Sequence, residues 1–375
     1  MSGIFSILTL LLLACYAFVL RRHLVAWKKQ PTNRIDDSNP IPGVTVVIVA
    51  RNEKENLIQL LNQLNSQSFY GELEIILVDD QSTDGTAALA NSFKNVVYHR
   101  LETDSLSTKK EGIKWAAENA KWDIILQTDA DCDLGRDWVK LMSSMIREDT
   151  VLGLGPVSYK YESSNWKRVL RIEMHQLSLL AGSSTFLNRN FISNGANLVY
   201  HRNLIIKLNP FADVLNPSGD DTSLVKTVQD NGNSELAYCK NSEAIVRTYA
   251  PSNFKHFFHQ RLRWSSKVNF TGSNKLDPHA LAFLFGNLAI ILALSWTLIN
   301  SNIILFAIAV FIKFVIDSFS FDLTEKFFAP KEPKSSLLLR VVLVLFYPFY
   351  IAFFAVLSKF VPYQWKGRKI SPWKK

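Results

Sequence analysis

A chain of 375 residues that is 48% hydrophobic, with a slightly positive mean hydropathy, fits one large globular domain plus membrane helices better than two modest soluble domains. Its formal charge of +9 raises nucleic acid as a partner, but no basic and aromatic stripe of the RNA-binding kind is present, so no nucleic acid is expected. Three unpatterned cysteines, Cys15, Cys132 and Cys239, exclude a disulfide framework and fit a reducing compartment.

Residues 4–20 form an uncharged, predominantly apolar run of about the minimum spanning length. No basic region precedes it and no Ala-x-Ala pattern follows, so residues 1–22 are expected to be an uncleaved anchor rather than a signal peptide. Arg21 and Arg22 close the run, joined by Lys28, Lys29 and Arg34, which places its C-terminal end in the cytoplasm.

Residues 40–275 read as a cytoplasmic α/β domain. Residues 44–49 are a β-branched run behind Pro42-Gly43, a buried parallel strand that ends on Ala50-Arg51-Asn52-Glu53. Leu57, Leu60, Leu61 and Leu64 then recur at helical spacing. Residues 73–78 are a second strand, ending on Asp79-Asp80-Gln81-Ser82-Thr83-Asp84-Gly85-Thr86. An amphipathic stretch over 96–101 and a helix over 108–120 lead to a strand at 122–127, which ends on Thr128-Asp129-Ala130-Asp131. Such alternation predicts a mostly parallel sheet with helices on both faces, binding ligands at the C-terminal strand ends. The polar clusters fall at those ends.

Residues 166–187 alternate in helical fashion and predict an interfacial helix that guides a lipid. Further on, Asp220 and Asp221 precede a helical pattern over 222–228, and on a helix Gln260, Arg263 and Trp264 share one face. Three apolar segments follow, 281–299, 303–321 and 341–357, within a membrane region of 279–360, and a basic tail of 361–375 closes the chain. Three crossings would leave Lys366, Arg368, Lys369, Lys374 and Lys375 outside, against the positive-inside tendency, so one segment is expected not to cross. Pro348 marks 341–357 as the one that is broken or re-entrant. Lys313 and Asp317, four apart in the middle segment, either neutralise one another or serve function.

With these motifs in order, the chain resembles a family 2 glycosyltransferase of the GT-A fold, the group that includes cellulose, hyaluronan and poly-N-acetylglucosamine synthases and many lipid glycosyltransferases. The match spans roughly residues 44–267, with anchoring helices placed as in membrane members. The resemblance implies a Rossmann-like GT-A domain with N- and C-terminal transmembrane helices. It assigns Ala50, Arg51, Asn52, Glu53, Asp79, Asp80, Lys109 and Asp129 to the nucleotide sugar. Asp80, with Asp79 second, would accept from the uracil edge or back the metal site; an ordinary capped strand-to-helix turn is the plainer alternative.

Asp129 and Asp131 form the Asp-x-Asp signature, two carboxylates that can share one Mg²⁺ or Mn²⁺ ion bridging the donor phosphates. Asp221 occupies the position of the general base, with Asp220 replacing the commoner glutamate; both also suit a helix N-terminus. Gln260, Arg261, Arg263 and Trp264 agree with Gln-x-x-Arg-Trp, with Arg263 on the diphosphate and Trp264 at the acceptor end. A basic amphipathic helix on a membrane is the alternative. Gly195, Ala196 and Asn197 resemble the loop that shapes the acceptor pocket, and the sequence around Trp365-Lys366-Gly367-Arg368 is similar to a tail in some membrane members.

The expected function is inverting, metal-dependent transfer from a sugar nucleotide, a UDP-sugar by family habit, to a lipid or glycan acceptor at the cytoplasmic face of a cell inner membrane. A processive polysaccharide synthase is one alternative, disfavoured by the few spans available for a channel. A catalytically silent synthase subunit is the other, disfavoured by three retained acid clusters.

Overall fold

The computed structural model describes residues 2–35, 41–102, 108–147, 150–212, 218–232, 235–267 and 277–371. The first helix, α1 (Ser2–Lys29), continues beyond Arg21-Arg22 to the end of the basic cluster. Strand β1 (Gly43–Ala50) is buried almost throughout, as its β-branched run requires, and α2 (Lys54–Asn65) seals one face with Leu57, Leu60, Leu61 and Leu64. Strand β2 (Glu72–Asp79), α3 (Thr86–Asn91), β3 (Val96–Arg100), α4 (Thr108–Asn119) and β4 (Ile124–Thr128) follow. The stretch expected to be amphipathic over 96–101 is thus an edge strand.

After α5 (Trp138–Ser143), the chain forms β5 (Thr150–Leu154), β6 (Val157–Tyr159) and the long α6 (Asn165–Phe186). Then come β7 (Leu198–His201), α7 (Asn203–Leu208), α8 (Asp220–Asn231), β8 (Glu235–Tyr238), β9 (Val246–Thr248) and α9 (Phe254–Lys267). The main sheet runs β3-β2-β1-β4-β7-β5-β8. Strands β1 to β4 are mutually parallel and β7 is antiparallel to both neighbours. That reversal places the start of β7 beside the end of β4, with Leu198 opposite Gln127. The 194–197 loop therefore enters at the sheet edge where β1, β2 and β4 deliver their polar ends.

Four helices among the described residues are long and apolar enough to cross a membrane. Beyond α1 they are α10 (Pro278–Asn300), α11 (Ile304–Phe328) and α12 (Leu337–Leu357). Phe5 meets Trp296 at one end of the bundle, while Trp27 meets Phe327 and Phe328 at the end next to the α/β domain. Close approach of α1 and α10 depends on Gly286, where an added Cβ would lie 2.5 Å from the Tyr16 ring. Lys313 and Asp317 pair at 2.5 Å, and Tyr16 donates to Asp317, so this couple joins α11 to α1.

Helix α12 is continuous through Pro348, contrary to the expected break. Near its start, Arg340 pairs with Asp322 and Glu325 in the last turns of α11, each at 2.8 Å. Near its end, Phe354 packs against Phe257 and Phe258 of α9. Both ends thus reach the domain side of the bundle. A short hairpin, β10 (Tyr363–Trp365) and β11 (Arg368–Ile370), follows and docks on the α/β domain. Helix α6, expected to meet lipid, is instead buried over most of its length between the sheet and α1 and α11.

Candidate active site

The ends of β1 and β2 are stitched into one cradle. Asn52, in the left-handed region at φ 53°, donates its backbone N–H to Ser82 Oγ at 2.9 Å and accepts from the Thr83 N–H at 2.8 Å. Glu53 donates its backbone N–H to Thr86 Oγ1, the residue that opens α3 after the left-handed Gly85. Asp79 is fully buried and occupied, accepting from the Ser82 N–H at 2.8 Å and Tyr98 Oη at 2.7 Å. It holds the turn and presents no oxygen to a ligand. Asp80 faces the cradle, braced by Thr108 Oγ1 at 2.8 Å and by Arg51, which donates to the Asp80 carbonyl at 2.9 Å.

At the end of β4, Asp129 is partly exposed and accepts from Lys109 Nζ at 2.7 Å. Asp131 accepts from Thr248 Oγ1 at 3.0 Å. Burial, then the neighbouring Asp129, pushes the Asp131 carboxyl up. That repulsion between two hard oxygen ligands is what a divalent cation would relieve, so the chemistry of the pair fits Mg²⁺ or Mn²⁺. Asp133 turns away to Lys160 at 2.9 Å and Gln59 at 2.7 Å. Among the described residues no group of three or more His, Cys, Asp or Glu side chains is placed to hold an ion.

Gly219, left-handed at φ 90°, turns the chain so that α8 begins on Asp220 and Asp221. Asp220 accepts from Gln127 Nε2 at 2.9 Å and lies 3.4 Å from Lys109. Burial raises its carboxyl, but Lys109 and Lys267 outweigh burial and hold it at about 2. Lys109 therefore bridges the Asp-x-Asp strand end and α8. Its neighbour Lys110 is buried and lowered to about 8, chiefly by desolvation. Asp221 is 1% exposed, with both carboxylate oxygens on Lys267 Nζ at 2.9 and 3.3 Å.

The 195–197 loop closes over this group. A Cβ at Gly195 would sit 2.9 Å from Asp220 Oδ2, so the glycine permits close approach. Ala196 is buried. Asn197 is consumed structurally: it accepts from Trp138 Nε1 and donates to the carbonyls of Pro156 and Ala244, each at 2.9 Å. It supports the pocket from behind.

On α9 the four motif residues divide. Arg263 reaches Ser218 Oγ at 3.3 Å and its guanidinium lies 5.7 Å from the Trp365 ring. Gln260 accepts from Tyr159 Oη at 3.3 Å. Arg261, expected beside the diphosphate, points the other way: it is 2% exposed, ion-paired with Glu173 of α6 and 4.3 Å from the Trp264 ring. Tyr350 of α12 donates to the same Glu173. Arg261 thus joins three helices instead of lining the site.

Sequence reasoning missed Glu173 and Thr108, and it noted the tail around Arg368 without giving that residue a role. Arg368 clamps Asp80 bidentately at 2.7 and 2.8 Å, and Lys366 pairs with Glu53. Two positive-φ residues, Lys366 and Gly367, form the tip of this hairpin. The signal was a two-residue turn ending in glycine between short β-prone runs, masked by a basic composition that reads as lipid-facing.

Residues 45–211 match the model of Glycosyl transferase family 2. The glycosyltransferase AglE of Haloferax volcanii is 26% identical over 206 residues, which cover 52% of this chain and 64% of AglE. An N-acetylglucosaminyltransferase of Azorhizobium caulinodans is 25% identical over 61% of this chain and 60% of its own length. The chain thus spans less than two thirds of these relatives. The mannosyltransferase PcManGT of Pyrobaculum calidifontis, solved with GDP-Man and Mn²⁺, superposes with a TM-score of 0.56 at 16% identity, covering 94% of this chain and 98% of that one. At that identity the likeness concerns the fold.

Proposed function

From the premise that residues 45–211 make this chain a member of glycosyl transferase family 2, we propose that it is an inverting glycosyltransferase acting at a membrane surface. The donor is a nucleoside-diphosphate sugar, with UDP as the first choice, and the acceptor is a lipid. The observation that carries this reading is the convergence, at one sheet edge, of Asp80, the Asp129 and Asp131 pair, Asp221 and Arg263.

In the proposed step, Asp221 accepts the acceptor hydroxyl proton while that oxygen attacks the anomeric carbon. The bond from that carbon to the phosphate oxygen breaks, and its electron pair leaves with the nucleoside diphosphate. Arg263 receives the growing negative charge, which an arginine fork suits well. A Mg²⁺ or Mn²⁺ ion held by Asp129 and Asp131 would neutralise the remainder. PcManGT, a mannosyltransferase of like fold, was solved with GDP-Man and Mn²⁺, which supports a sugar-nucleotide donor and a divalent ion and makes GDP-sugars a necessary comparison.

Membrane placement supports the lipid acceptor. Helix α9 carries Arg263 toward Ser218 and the start of α8 while Phe257 and Phe258 pack against α12, so the motif helix is the joint between pocket and membrane helices. We place the catalytic domain and the tail on the cytoplasmic side, with α1, α10 and α11 crossing and α12 lying along the interface.

The test is to incubate membranes containing the full chain with UDP-glucose, UDP-N-acetylglucosamine, UDP-galactose and GDP-mannose and to identify products by mass. A discrete sugar-linked lipid, absent with Asp221→Asn, is expected. A long glycan would replace this reading with the processive one, and donor-independent product would overturn both.

A further inference from the structure

The C-terminal hairpin touches both walls of the site. On one side β10 lies along α9: the Gln364 backbone N–H donates to His259 Nδ1 at 3.3 Å, and the Trp365 ring lies 5.7 Å from the Arg263 guanidinium. On the other, Lys366 pairs with Glu53, and Arg368 forks onto Asp80 at 2.7 and 2.8 Å while donating to Thr108 Oγ1 at 2.9 Å. Resting on the reading of Asp80 as the carboxylate that meets the donor's base, we propose that the hairpin is an autoinhibitory strap. Arg368 occupies the seat that the base would take, so hairpin and nucleotide compete for it.

The seat is filled on both oxygens. Asp80 is 5% exposed, and Thr108 Oγ1 adds a bond at 2.8 Å to the oxygen that also receives Arg368 Nη1. A bidentate guanidinium approaches in the carboxylate plane, the same approach that a ring N–H of uracil or guanine needs. Asp79 differs in kind: its partners, Ser82 and Tyr98, come from its own turn and the neighbouring strand, and are fixed with the fold. The arginine on Asp80 arrives instead from β11, beyond three apolar helices.

Such a strap is built to release. Each of its strands has three residues, and a two-stranded ribbon is marginal in water by itself. Residues 358–362 tether it to the end of α12. A short tether holds a group at an effective concentration on the order of millimolar, so a weak clamp suffices to keep the seat filled.

The test is UDP binding to the full chain in detergent with Mg²⁺, by titration calorimetry, with GDP run beside it; competition is read with the nucleotide that binds. Apparent Kd is the intrinsic one divided by the open fraction, so with about nine chains in ten clamped, Arg368→Ala should tighten binding roughly tenfold. Gly367→Val should tighten it too, because Gly367 sits at φ 80°, where a β-branched residue strains the turn that aims Arg368. In the unsubstituted chain, the nucleotide should speed amide hydrogen exchange over residues 363–370. Weaker binding by a folded Arg368→Ala protein, or slower hairpin exchange with nucleotide, would make the hairpin a wall of the donor site and overturn the strap. Unchanged affinity overturns it as well. The Asp80 reading is tested apart: in the Arg368→Ala background, Asp80→Ala should weaken binding several-fold, and no loss there defeats that reading whatever the hairpin does.

Discussion

Among single residues, carboxylates were the most legible feature because chemistry restricts where clustered acids are tolerated. Asp129 and Asp131 sit at a strand end in mutual repulsion, with Lys109 bonded to Asp129. Replacing either by Ala should abolish measurable turnover and weaken sugar-nucleotide binding in titration calorimetry, and EDTA should reproduce both effects reversibly. Full activity in EDTA with no metal retained would refute the assignment. Asp221→Asn should behave differently, keeping donor affinity within several-fold while slowing transfer by a factor on the order of 10² or more. Asp79 and Asn197 show the limit of motif reading at this scale. Both stand where a ligand contact was expected, yet their polar atoms are spent on Ser82, Tyr98, Trp138 and two carbonyls. A sequence displays a polar residue without displaying which neighbour has already satisfied it.

Helices and long strands were readable from periodicity, whereas β6, β9, β10 and β11 are three residues each, too short for any pattern to register. Partners across elements were equally hidden. Gln260 to Trp264 announced one functional face, but Arg261 on its reverse meets Glu173, a residue nearly 90 positions earlier, and shares it with Tyr350 of α12. Both charged side chains are almost wholly buried. Truncating Glu173 to Ala leaves a buried guanidinium unpaired, an effect of about 3–5 kcal/mol in comparable sites. Thermal unfolding in detergent should show a marked fall in Tm for Glu173→Ala. The double change Glu173→Leu with Arg261→Met should recover much of it, because a matched apolar pair removes the stranded charge. Equal destabilisation by the double variant would mean the ion pair itself, rather than its disruption, carries the stability.

For the molecule as a whole, hydropathy identified four apolar helices but could not decide how many cross, since length and composition are satisfied by a helix lying along the interface too. The basic tail pulled one way and the count of spans the other. Contacts supply the missing constraint: Arg340 ties the start of α12 to the domain-side end of α11, Phe354 ties its end to α9, and Arg368 beyond it clamps Asp80. On the placement proposed above, a tail bonded to the α/β domain shares that domain's side of the membrane, which is the cytoplasmic side if Arg21 and Arg22 obey the positive-inside tendency. An impermeant thiol probe on intact cells tests this, in a background where Cys15, Cys132 and Cys239 are replaced by Ser. Cysteine at exposed Lys369 and, as an internal control, at Arg34 should both stay unlabelled until the cells are permeabilised, and then react. Labelling at Lys369 with a silent Arg34 would put the tail outside, require α12 to cross, and break the Arg368 contact with Asp80 on which the hairpin's place in the site depends.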